Sequence, residues 1–141
     1  MHANSSAFAR WAYVLLRTFA GAILCQHGAQ KLFGLLGGID GAGHAVAVNL
    51  SLLGIAGPIE FFGGLLIVVG LFTRPVAFIL AGEMTVAYFV MHFPSGFWPA
   101  VNHGDLPLLL CFTFLYLAAT GAGTFSLDYL RTRNRPISVM R

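Results

Sequence analysis

Charge is what this sequence has least of. Eight Lys and Arg and five Asp and Glu make up 9% of its 141 residues. An ordinary soluble domain carries about a quarter charged residues. So few cannot cover the surface of a chain this long. Water is therefore excluded as the main solvent, and with it a disordered chain, a coiled coil and a nucleic-acid-binding module. Cysteine is scarce as well: Cys25 and Cys111 are the two present, and no Cys-x-x-Cys pair occurs. That argues against a thioredoxin-like dithiol and a cysteine zinc site. A cleavable leader is not signalled either. Arg17 interrupts the first apolar stretch, and no short apolar core ends in a small-residue cleavage site, so the first segment is read as retained.

What is abundant is apolar. That set makes up 57% of the chain, and the mean hydropathy is +0.79. Four hydrophobic segments stand out, at approximately residues 8–33, 55–72, 75–93 and 105–124, separated by breaks rich in Gly and Pro. Each is near the roughly 20 residues that a spanning helix needs. A barrel would show strict polar alternation on every strand, which is absent. The expected fold is all-α: an integral membrane four-helix bundle forming a single domain over residues 1–141. Residues 44–53 are too short to span, and either lie in the interface or re-enter. Pro58 and Pro107 suit the first turns of the second and fourth helices.

Basic residues orient the bundle. Arg10 precedes the first span, Arg74 lies between the second and third, and Arg131, Arg133, Arg135 and Arg141 follow the fourth. With four spans these fall on one side, which the positive-inside rule makes the cytoplasm, with both termini there. Lys31, near the outer end of the first span, violates the pattern.

Ionisable groups inside spans are costly and face the bundle or water, usually with partners. Depth along the helices draws two layers. The inner one holds Arg17 and Glu83, read as an intramembrane ion pair that either holds two helices together or handles protons. The outer one gathers His27, Lys31, Glu60 and His92, with Asp105 at the mouth of the fourth span and Trp98 and His103 nearby. It is either a hydrogen-bond network closing the bundle mouth or a ligand site. On a straight helix, Glu83 and His92 point about 180° apart. Either that helix bends or frays at His92, or Glu83 faces a second subunit. Arg17, Gly21, Gly28 and Lys31 share one stripe of the first span. Glu60, Gly63, Gly64 and Ile67 share a face of the second, where glycines permit close helix approach. A haem between His27 and His92 is weakly signalled. A metal at His27, Glu60, His92 and Asp105 is opposed by the ammonium of Lys31. No metal site and no electron-carrying cofactor is encoded convincingly, and Cys25 and Cys111 read as small hydrophobes.

The motifs in these places resemble those of the DoxX family of small bacterial membrane proteins. They are Arg17 with His27-Gly28-Ala29-Gln30-Lys31-Leu32-Phe33-Gly34, Glu60-Phe61-Phe62-Gly63-Gly64 with Gly70-Leu71-Phe72-Thr73-Arg74, Ala87-Tyr88-Phe89 through His92 to Gly96-Phe97-Trp98-Pro99, Asn102 and Gly104, and Gly121-Ala122-Gly123 with Ser126-Leu127-Asp128. One departure is visible: the family commonly has Gly-Gly-Glu before the fourth span, where this chain has His103-Gly104-Asp105. The resemblance implies a four-helix protein of the bacterial inner membrane, similar to a subunit of a thiosulfate:quinone oxidoreductase or terminal quinol oxidase. It also implies other membrane subunits, or copies of itself, as partners. Three functions arise as expectations. The first is a redox-linked accessory subunit with a quinone-type or small-molecule pocket near the outer face, built from His27, Lys31, Glu60, His92 and Asp105. The second is a non-catalytic scaffold subunit of a larger membrane complex. The third is a small proton-coupled transporter, for which four helices are few.

Overall fold

The computed structural model describes residues 6–133, and among them every regular element is helical. Arg135, Arg141 and both chain termini, which enter the expected orientation, lie outside the described residues. Helix α1 covers Ala7–Phe33. The Ser6 side chain accepts from the Ala9 N–H at its start, and Gly34 ends it in the left-handed conformation. Helix α2 covers Leu52–Val69 and is capped by Ser51, whose side chain accepts from the Gly54 N–H. Because α2 starts there, Pro58 lies inside the helix and not in its first turn. Its ring leaves the Gly54 carbonyl without the usual helical donor. Helix α3 covers Thr73–Ala87 and runs on into a π turn at Tyr88–His92 and a 3₁₀ turn at Phe93–Ser95. A single turn α4, Pro99–Asn102, precedes α5, Asp105–Thr120, and a short α6 covers Leu127–Arg133. Pro107 falls in the first turn of α5, where no helical N–H is lost.

The helices pack as two pairs, α1 on α2 and α3 on α5, joined mainly through α2 and α3. Leu24, Ile67, Leu80, Phe114 and Leu117 are buried where the pairs meet. The outside is apolar: Phe8, Phe19, Phe62, Phe78, Leu109 and Phe112 are all well exposed. Such a belt is unfavourable in water and matches lipid tails. Three segments, Ala7–Phe33, Leu52–Val69 and Thr73–Ser95, are long and apolar enough to cross a membrane. Helix α5 is apolar but has 16 residues, about 24 Å against a hydrocarbon core of about 30 Å.

Glycine sets the α1–α2 distance. A Cβ on Gly28 would overlap the backbone of Phe61, and one on Gly64 would lie 2.6 Å from the Gly21 carbonyl oxygen and the Cys25 nitrogen. Lipid gives apolar side chains little drive to associate, so this close backbone approach is what the pair gains from. Residues 34–51 form a loop that folds back on the end of α1. Val46 N–H donates to the Lys31 carbonyl at 2.7 Å, and Gly43 N–H to that of Gly37 at 2.8 Å. Residues 44–50 carry no helix. In this exposed loop Asp40 accepts from His44 Nδ1 at 2.5 Å and from the Ala42 N–H at 2.9 Å, and the His44 bond holds its carboxyl below the usual range.

At the other end Arg17 is buried and bonded to backbone, not to a carboxylate. Its Nη1 donates to the Ala122 carbonyl at 2.7 Å, and its Nη2 to those of Phe125 at 3.0 Å and Val68 at 3.3 Å. One guanidinium thus ties α1 to the end of α2 and to the loop after α5. Asp128 completes the knot. Its carboxylate accepts from the Phe72 and Thr73 N–H groups at 2.9 and 2.8 Å, capping α3 from outside its own helix.

Candidate functional site

Between the two helix pairs lies a cavity of about 470 Å³. It is lined by residues of α1, α2, α3, its π turn and α5. His27, Lys31, Glu60 and His92 all border it, along with Glu83 and His103. Most of the wall is apolar, from side chains such as Leu24, Ile59, Met84 and Leu110.

Its polar centre is a lysine between two carboxyls. Lys31 Nζ donates to Oε1 and Oε2 of Glu60, both at 2.5 Å. Glu60 is almost fully buried, and the Lys31 side chain is 15% exposed. The Cβ of Lys31 lies beside Gly57, one turn of α2 away from Glu60 toward the start of that helix at Leu52. The lysine stem therefore runs back toward the bundle middle, opposite to the usual reach of membrane lysines for the interface. A buried ammonium and carboxylate hold such a position only as a pair.

Glu83 corrects the expected layering. It lies not beside Arg17 but within reach of Glu60 and close to Lys31, facing the cavity. It does not face outward to a second subunit. The reason is distance along the chain. The tight turn at Gly70–Phe72 joins α2 to α3, and Glu60 and Glu83 lie eleven and twelve residues either side of Leu71. Both therefore rise about equally from that turn and meet at one depth. Its Oε2 is buried and, the neighbouring Glu60 carboxyl apart, has no hydrogen-bond partner among the described residues.

His92 joins the same cavity because of the π turn. Inserting one residue into the helical turn rotates all later side chains by about 100°. That removes much of the opposition between Glu83 and His92 expected of a straight helix. The ring is then fixed: Nδ1 lies 3.1 Å from the Asn102 carbonyl oxygen. Asn102 is itself buried and organises this loop. Its Nδ2 donates to the Gly96 carbonyl at 2.7 Å, and its Oδ1 accepts from the Gly104 N–H at 2.8 Å. Asp105 does not border the cavity. It opens α5 as an exposed first-turn residue, where a carboxylate favours the helix N-terminus. His103, in a left-handed conformation at φ 58°, lines the cavity in its stead.

A helical bundle with an apolar belt, close glycine packing and charge gathered around one internal cavity is the build of a membrane protein. The comparisons agree. The DoxX family profile matches residues 12–93, more than half of the chain. A Haemophilus influenzae protein described as uncharacterized is 36% identical over 128 residues, covering 89% of this chain and 94% of that one. The Bacillus subtilis protein named "Putative oxidoreductase CatD" is 30% identical over 115 residues, covering 82% and 83%. No solved structure matches. The chain belongs to the DoxX family.

Proposed function

We propose that this protein is a redox-linked accessory subunit of the bacterial inner membrane, whose internal cavity takes a small lipid-soluble molecule of the quinone type. In this reading α1, α2, α3 with its π turn, and α5 make four crossings. Both termini lie in the cytoplasm, and the cavity lies toward the outer face. A partner chain carries the electrons.

The carrying observation is the cavity itself: about 470 Å³, walled mainly by apolar side chains, with Lys31, Glu60 and Glu83 together at its polar centre. Volume and lining suit one small ring system with a polar edge. Histidines 27, 92 and 103 border the same space, and imidazole is a side chain able to exchange protons near neutral pH. The name of the CatD relative supports a redox setting.

The test fills the space. Ala87 lines the cavity from α3, and Ala87→Phe occupies part of it without altering charge. In lipid nanodiscs, menadione is expected to bind the wild type and to lose at least tenfold in affinity in Ala87→Phe. Equal affinity in both proteins, or none in the wild type, would contradict the reading.

A further inference from the structure

We propose that a second site, a groove between the start of α1, the end of α2 and α6, binds the headgroup of an anionic phospholipid. It lies at the Arg17 end of the bundle, away from the internal cavity, and stands whether or not that cavity holds a ligand. The groove encloses about 610 Å³. Val69, Phe125, Leu127 and Leu130 give it an apolar wall, and all four are well exposed. Arg10 and Arg133 border the same space, with the hydroxyl-bearing Thr124 and Tyr129. Among the described residues, no Asp or Glu lines it. The chain has five acidic residues, and Asp128 is the one at this end. Its two oxygens are committed to the N–H groups of Phe72 and Thr73. Arg10, Arg74, Arg131 and Arg133 are all exposed there, so this end sets four guanidinium groups against one carboxylate.

Depth selects a lipid over a soluble anion. Arg10 stands in the first turn of α1 and Val69 closes α2, so guanidinium and apolar wall meet where the spans end. Phospholipid phosphates occupy that level, just outside the hydrocarbon. Trp11 follows Arg10 and stacks on Phe125, with ring centroids 4.9 Å apart. A tryptophan at a span end marks the same level. Phe125 is held from behind. Its backbone is left-handed at φ 58°, and its carbonyl accepts from Arg17 Nη2 at 3.0 Å. The wall is thus fixed before a ligand arrives. A phosphate between Arg10 and Arg133 gains charge-assisted hydrogen bonds from planar guanidinium donors. An acyl chain of the same molecule then lies along Val69, Leu127 and Leu130. A zwitterionic headgroup brings an ammonium toward these arginines and loses part of the attraction. An anionic headgroup, such as that of phosphatidylglycerol, keeps all of it.

Native mass spectrometry of the full chain in mild detergent counts bound lipid. The probes are dioleoyl phosphatidylglycerol and dioleoyl phosphatidylcholine, which share their chains. One phosphatidylglycerol is expected to bind first, at least about tenfold tighter than phosphatidylcholine. Arg10→Gln with Arg133→Gln should cut that preference to about threefold or less. Both residues are exposed, and unchanged phosphatidylcholine binding reports that the fold is kept. Arg74→Gln with Arg131→Gln removes the same charge from the same end but outside the groove, and should keep the preference. Glycerol phosphate, a headgroup without chains, should not displace the lipid at equal concentration. Equal affinity for the two lipids would overturn the proposal. So would an equal loss in both double variants, which assigns the preference to diffuse charge. Displacement by glycerol phosphate would assign the groove to a soluble anion and overturn it as well.

Discussion

Replacing Lys31 with leucine costs the solubilised protein about 3–5 kcal/mol, the typical loss when one partner of a buried ion pair is removed. The ammonium bonds both oxygens of Glu60 and lies close to Glu83. Without it, two carboxyls face one another in an apolar wall with no cation. The double variant Lys31→Leu with Glu60→Leu removes both buried charges and should recover most of the loss. Unfolding in mild detergent, followed by circular dichroism, reads the cycle. A single variant as stable as the wild type would mean that the pair contributes nothing to the fold. A double variant no better than the single would mean that the lysine acts through its packing beside Gly57, and not through its charge.

Arg17→Leu should be comparably damaging at the opposite end. It removes donors from the carbonyl of Ala122, in a buried place, and from those of Phe125 and Val68, in partly buried ones. An unmet buried acceptor costs about 1–3 kcal/mol and the two partly buried ones cost less, so a total of about 2–3 kcal/mol is expected. Arg17→Lys should rescue only part, because one ammonium lacks the planar fork that reaches three oxygens at once. The same unfolding measurement reads this series. Proteolysis near Ala122 should also quicken in Arg17→Leu, since the loop after α5 loses its tie to α1. A fully stable Arg17→Leu protein would contradict the anchoring role.

The two ends of the bundle were unequally legible in the sequence. Apolar segments broken by Gly and Pro already imply helices in lipid, because no other chain of this composition hides its backbone there. The stripe carrying Gly21 and Gly28, and the face carrying Gly63 and Gly64, are visible from spacing. In the structure Gly28 and Gly64 set the approach of α1 to α2, while Gly63 meets Leu80 of α3. His27, Lys31, Glu60 and His92 could be grouped by depth. The same depth count put Arg17 and Glu83 together in an inner layer, which the structure does not bear out. Charge opposition suggested a pair, but an arginine can satisfy itself on backbone carbonyls, which leave no mark in composition. Counting outward from the α2–α3 turn, and not inward from each segment end, places Glu83 level with Glu60. The π turn at Tyr88–His92 has no periodic signature, so the facing of His92 was hidden. Asn102 stands in the motif, but its role in fixing His92 was hidden, since that contact uses a backbone carbonyl. Asp105 was misleading because a carboxylate opening a helix looks the same in sequence whether it caps or binds.

The proposed function depends throughout on the cavity between the helix pairs being a place where a small molecule resides. The direct measurement is to purify the protein from its native membrane in mild detergent, extract it with organic solvent, and identify small molecules by mass spectrometry. The wild type is expected to yield one lipid-soluble aromatic compound in near-stoichiometric amount, and Ala87→Phe prepared in parallel is expected to lose it. The same compound in equal amount from both proteins, or extracts holding nothing beyond bulk phospholipid, would contradict a ligand-holding cavity.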